Sequence, residues 1–189
     1  MSRVLAAALV AAVFLAAPPT LSGQSTEFSF ASGWLNPGGE DFADTRAGPG
    51  FDVVLRRSLG ARATLGLGGT WSMHGVDFTD DKYDVLGVFV EPRVLAGSGE
   101  SPARPFVAGR LAWMRESIRE GTQSRAANGV GGGLLAGVLV PVSDRVTLEG
   151  SVGGYLLSFG DFKADGVPLS RDGGSGNAWA LRVAVNVTP

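Results

Sequence analysis

One histidine, His74, stands near the hydroxyl of Ser72 and the carboxyl of Asp77 in the 189-residue sequence. From this grouping alone could a nucleophile, a base and an acid be assembled. In an extended strand the side chains alternate faces, so His74 and Asp77 point to opposite sides unless the chain bends between them. The expectation is a histidine at a strand end with no catalytic role. The acidic stretches Glu40 to Arg46 and Asp77 to Lys82, with Asp80 and Asp81 adjacent, could meet divalent ions. Their spacing lacks an EF-hand pattern, and solvated loop charges are expected instead. Gly66 to Gly69 and Gly131 to Gly133 are not phosphate loops, because no Gly-Lys-Ser/Thr follows and no helix opens after them. No catalytic residue, metal site or cofactor is expected.

The remaining ionisable residues acquire meaning only from the elements that carry them. Of the 189 residues 29 are glycine, roughly twice the usual share, whereas charged residues make up 18% and cysteine is absent. These figures exclude a disordered chain, a disulfide scaffold and a zinc ribbon. The glycines lack a three-residue period, which excludes collagen. A net charge of −2 gives no electrostatic case for nucleic-acid binding.

Arg3, the apolar run Val4 to Ala17, Pro18-Pro19 and the small residues Thr20, Ser22 and Gly23 follow the order of an export signal. Residues 1–23 are expected to be removed, leaving 24–189 as one domain. After the signal, no apolar run is long enough for a membrane helix. The mature chain alternates instead: Leu86, Val88, Val90 and Val94 share one parity, and Gly87, Glu91 and Arg93 the other. Eight such segments are expected: Thr26 to Leu35, Phe51 to Ser58, Ala61 to His74, Tyr83 to Ala96, Arg104 to Ile118, Asn128 to Val142, Arg145 to Phe159, and Asn177 to Thr188. Most exceed the usual soluble strand and reach the roughly 9 to 11 residues that a tilted strand needs to cross a bilayer.

The connections alternate as well. Leu59-Gly60 and Ser143-Asp144 mark tight turns and Gly97 to Ala103 a modest one, whereas Asn36 to Gly50, Asp77 to Lys82, Arg119 to Ala127 and Gly160 to Gly176 read as loops. Short turns at one end and longer loops at the other suit an up-and-down membrane barrel. Closure is required because an open sheet edge in lipid leaves backbone groups unpaired. Trp34, Trp71, Trp113 and Trp179 share the large apolar parity and fall near one rim, as an interfacial aromatic girdle would. Asp52, Arg56, Arg62, Glu91, Arg93, Arg110, Glu116, Glu149 and Arg182 share the opposite, inward parity. An eight-stranded barrel has room for little more than its own side chains, so these charges are expected to pair across the lumen. Glu91 with Arg110, and Glu149 with Arg182, are the pairs suggested by strand order.

On this pattern, best seen in Asn128 to Phe159 (NGVGGGLLAGVLVPVSDRVTLEGSVGGYLLSF), the mature chain resembles the small eight-stranded outer-membrane barrels of the OmpA-like family. The resemblance implies an all-β, eight-stranded antiparallel barrel in the bacterial outer membrane, monomeric, in contact with membrane lipid and lipopolysaccharide and inserted by the barrel-assembly machinery. From the residues themselves, a structural or surface-interaction role with a plugged polar lumen is expected, and no enzyme. Two departures stand out: the chain ends Val185-Asn186-Val187-Thr188-Pro189 rather than in an aromatic residue, and no peptidoglycan-binding domain follows the eighth strand. Two further readings remain: a narrow channel, if the lumen conducts, and a soluble periplasmic lipocalin-like barrel for an apolar ligand, which would reverse the two parities.

Overall fold

The computed structural model describes residues 25–77, 82–97, 102–120, 123–164, 167–168 and 174–189. The expected signal segment and the Asp80-Asp81 pair lie outside them. The strands are β1 (Thr26–Gly38), β2 (Gly48–Ser58), β3 (Ala63–Gly75), β4 (Lys82–Leu95), β5 (Arg104–Glu120), β6 (Gln123–Pro141), β7 (Val146–Phe159), the two-residue strands β8 (Lys163–Ala164) and β9 (Val167–Pro168), and β10 (Ser175–Val187). All pairings are antiparallel. Strands β1 to β7 pair in sequence order, and β10 pairs with both β7 and β1, which closes an eight-stranded up-and-down barrel with no free edge. The small β8–β9 hairpin hangs from β6 inside the last connection.

Register sets the dimensions. One row of paired residues runs Val187, Phe28, Leu55, Leu67, Val90, Leu111, Gly132, Leu156 and returns to β10 at Asn177, ten residues from its start. With a rise of about 3.4 Å per residue and a strand spacing of about 4.8 Å, this stagger tilts the strands by about 40° and gives a backbone radius of about 8 Å. Such a tube is filled by its own inward side chains.

The glycine excess helps to fill it. Gly133 pairs with Tyr155 and Gly68 with Phe89, and a Cβ at either glycine would overlap the partner's ring. Each aromatic ring therefore lies across a neighbouring strand that has no side chain at that point. Gly97, at φ 85°, turns the chain between β4 and β5, in a region that other residues rarely enter.

One connection differs from its expected form. Arg119 to Ala127 is mostly paired strand, with β5 and β6 matched from Arg104↔Leu139 up to Glu120↔Gln123, so a long hairpin stands above its neighbours. The sequence from 119 to 127 contains no proline to interrupt the paired strands.

Candidate functional site

The inward face carries a network of seven buried charges. Asp52 and Arg56 come from β2, Glu91 and Arg93 from β4, Arg110 from β5, Glu149 from β7 and Arg182 from β10. Glu91 is the hub, with no exposure: one carboxylate oxygen accepts from Arg56 Nη2 at 2.9 Å and Arg93 Nη2 at 3.1 Å, and the other from Arg110 Nη2 at 2.6 Å and Nε at 3.1 Å. Glu149 accepts from both terminal nitrogens of Arg93, at 2.9 and 3.1 Å, and from Asn186 at 3.4 Å. Asp52 accepts from Arg110 Nη1 at 2.9 Å. The guanidinium carbons of Arg93 and Arg110 lie 3.8 and 3.7 Å from the ring centres of Phe106 and Phe89. Buried charges are tolerable only when paired and hydrogen-bonded in this way, because water is not there to solvate them.

Three placements differ from the sequence reading. Arg62 is exposed in the turn between β2 and β3 and takes no part, because β3 begins only at Ala63. Glu149 pairs with Arg93 across the lumen rather than with Arg182 on the adjacent strand. Its register partner on β10 is Ala184, and Arg182 lies two residues further up, where its Nη2 comes within 2.7 Å of Asp52. Glu116 faces inward and is buried, yet stands apart from the network near the loop end, where it accepts a 2.6 Å hydrogen bond from the Tyr83 hydroxyl.

Above the network the filling becomes apolar. A three-residue helical turn, Glu40–Phe42, sends Phe42 into the barrel mouth, where it is 4% exposed and meets Tyr83 and Phe159 edge-on, both at 6.2 Å. Met114, Val85 and Phe162 complete this plug. The connection that carries Phe42 is tied down at both sides. Asp41 accepts from the Ser175 backbone at 2.7 Å, and Arg46 forms an ion pair with Asp77 and a backbone hydrogen bond to Gly75 at 2.8 Å. Phe42 was not foreseen; its one signal is an aromatic residue isolated in an acidic loop.

His74 belongs to the same fastening. Its Nδ1 lies 3.0 Å from the Arg46 carbonyl and its Nε2 3.0 Å from Ser72 Oγ, an arrangement in which Nδ1 donates to the carbonyl and the hydroxyl donates to Nε2. His74 and Ser72 thus meet, both buried, whereas Asp77 is engaged with Arg46. The three residues do not form a triad.

The outward face is the complement of the lumen. Combining register and stagger, the outward positions from Arg57 up to Asn36, Arg115 and Asn177 span roughly 23 Å of height. Among the described residues no charged side chain points outward within that band. Exposed leucine, valine and phenylalanine fill it instead, Leu111, Leu134 and Leu156 each being more than 70% exposed. The four tryptophans are 41 to 50% exposed and fall within about 3 Å of one height, at the upper border of the band. Trp71 stacks on Phe51 at 5.9 Å beside them.

A closed antiparallel barrel of eight tilted strands, with charge inside and apolar side chains outside, is the architecture of small outer-membrane barrels. Among solved structures the chain is similar to Neisserial surface protein A, with a TM-score of 0.65 at 15% identity over 89% of this chain and 100% of the other. It is also similar to a major outer membrane protein from Thermus thermophilus, with a TM-score of 0.55 at 12% identity over 88% of this chain and 100% of that one. For the outer membrane protein OprG of Pseudomonas aeruginosa the TM-score is 0.52 at 8% identity, over 88% and 97% of the two chains. At these identities the likeness is one of fold. No protein-family model matches the sequence, and no curated protein matches it.

Proposed function

We propose that the protein is an integral outer-membrane barrel, exported on residues 1–23, with a structural or surface-interaction role, a lumen closed to conduction and no catalytic site. The observation that carries this reading is the division of the two faces: an uncharged outward band of roughly 23 Å, close to the apolar height of known membrane barrels, around a lumen filled by paired charges. The tryptophan ring then lies at the outer interface as a girdle, with the short turns toward the periplasm and the loops toward the surface. A soluble lipocalin-like barrel needs the opposite parities, apolar within and charged without, and the burial pattern opposes it. Lipid and lipopolysaccharide are the partners such a surface meets, as a monomer delivered by the barrel-assembly machinery. Fractionation of expressing cells, combined with gel migration before and after boiling, tests the reading. A heat-modifiable band in the outer-membrane fraction is expected. Soluble periplasmic protein would overturn it.

A further inference from the structure

Directly above Trp113 the outward face of one wall changes from apolar to basic. Register sets its rows. Leu86, Arg115 and Asn128 lie side by side, then Asp84, Ser117, Ala126 and Lys163, then Lys82 and Arg119. Cross-strand partners share a face, so these positions continue the outward parity of Trp113. Arg115, Lys82 and Lys163 are exposed, and none of the three forms an ion pair with a described residue. Asp84 is the one carboxylate among these positions, against the cations at 82, 115, 119 and 163. Arg115 stands roughly 5 Å above the tryptophan level. At the matching height the outward positions of β1, β3, β7 and β10 are Asn36, Met73, Ser158 and Asn177, none of them charged.

Below this patch a groove runs down the outer wall, lined by Leu111, Trp113, Val130, Gly132 and Leu156. Gly132 pairs with Leu111 on one side and Leu156 on the other, so its missing side chain leaves the floor open between two leucines that are 72 and 73% exposed. Cations at the loop-end border of the apolar band, with an apolar groove beneath them on the same strands, fit the two halves of a lipid: a phosphate above and an acyl chain below. The spread of charge narrows the class. The row of Lys82 and Arg119 lies four residues along β5 from Arg115, about 14 Å, which is more than one phosphate bridges and suits a headgroup with two. With the loops toward the surface, the lipid of that leaflet with two phosphates on one headgroup is lipid A. We propose that this wall holds one lipid A molecule, with its phosphates on Arg115, Lys163 and Lys82 and an acyl chain in the Gly132 groove.

The site rests on the outer-membrane reading, and the two fail separately: soluble periplasmic protein removes that reading, whereas the site is tested on the folded barrel by lipid retention. The barrel, refolded in neutral detergent, would be titrated with lipid A, with the same lipid A stripped of its phosphates, and with phosphatidylglycerol, and the bound lipid counted by native mass spectrometry. One lipid A per barrel is expected, with the dephosphorylated lipid and phosphatidylglycerol each needing at least about tenfold more for half-saturation. The double substitution Arg115→Gln with Lys163→Gln removes two exposed cations and should weaken lipid A by about tenfold. Gly132→Val tests the groove independently of charge. A Cβ at Gly132 comes no nearer than 3.5 Å to a neighbouring side chain, so the variant folds while its side chain occupies the groove, and lipid A should bind several-fold more weakly. Unchanged lipid A binding by the folded double variant, or equal binding of lipid A and phosphatidylglycerol by the native chain, would overturn the proposal.

Discussion

The two fillings of the lumen are built on different logic. In the charge network every contributor to the Glu91 hub stands on a strand, and barrel register sets the height at which each side chain enters. In the plug the central ring, Phe42, comes from a connection and reaches the mouth only because Asp41, Arg46 and His74 fasten that connection to β10 and β3. Strand-borne contacts cannot be released without opening the sheet, whereas loop-borne contacts can be released one fastening at a time. The lower lumen is thus a permanent part of the barrel, and the upper closure is a separable one.

The largest effect that separates the two regions is expected at the hub. Glu91→Ala leaves Arg56, Arg93 and Arg110 buried around a missing charge and should cost about 3 to 5 kcal/mol, measured as a lower urea midpoint of the folded, fast-migrating form. A loss no greater than that of a surface substitution would show that the network does not hold the barrel together. Phe42→Ala comes next, at up to about 3 kcal/mol of lost packing. Its mark is local: backbone hydrogen exchange should rise in residues 40–46 while the β4 and β7 amides stay protected. Equal acceleration throughout would erase the distinction between plug and network.

Smaller still are effects on the outer surface. In vesicles of lipids brominated along the acyl chain, Trp34, Trp71, Trp113 and Trp179, each kept as the only tryptophan, should be quenched most by bromines at the same shallow depth. Scattered depths would break the single-height ring. The smallest effect belongs to Arg62→Gln, which should change stability by less than about 0.5 kcal/mol, while Arg56→Gln, six positions away and buried, should cost several times more.

The strands and their facing were legible because alternation is a local signal: Leu86, Val88 and Val90 against Gly87, Glu91 and Arg93 give β4 its two faces without reference to any other strand. Contacts across the tube were less so. Strand order suggests Glu149 with Arg182, yet the tilt offsets adjacent strands and brings Arg93 from the opposite wall within reach. Arg62 shows the same limit at a strand end, where a one- or two-residue error in the boundary changes a lumenal charge into a turn charge. Phe42 was illegible because its burial depends on fastenings to Ser175 and Asp77, each far from it in the sequence or made through a neighbour.

Closure of the lumen is tested most directly by the conductance of the purified protein in a planar bilayer. If the Glu91 network below and Phe42 above close this tube of about 8 Å backbone radius, as proposed, no steady openings are expected across the physiological voltage range. Reproducible, long-lived openings of one size from the native chain would contradict it.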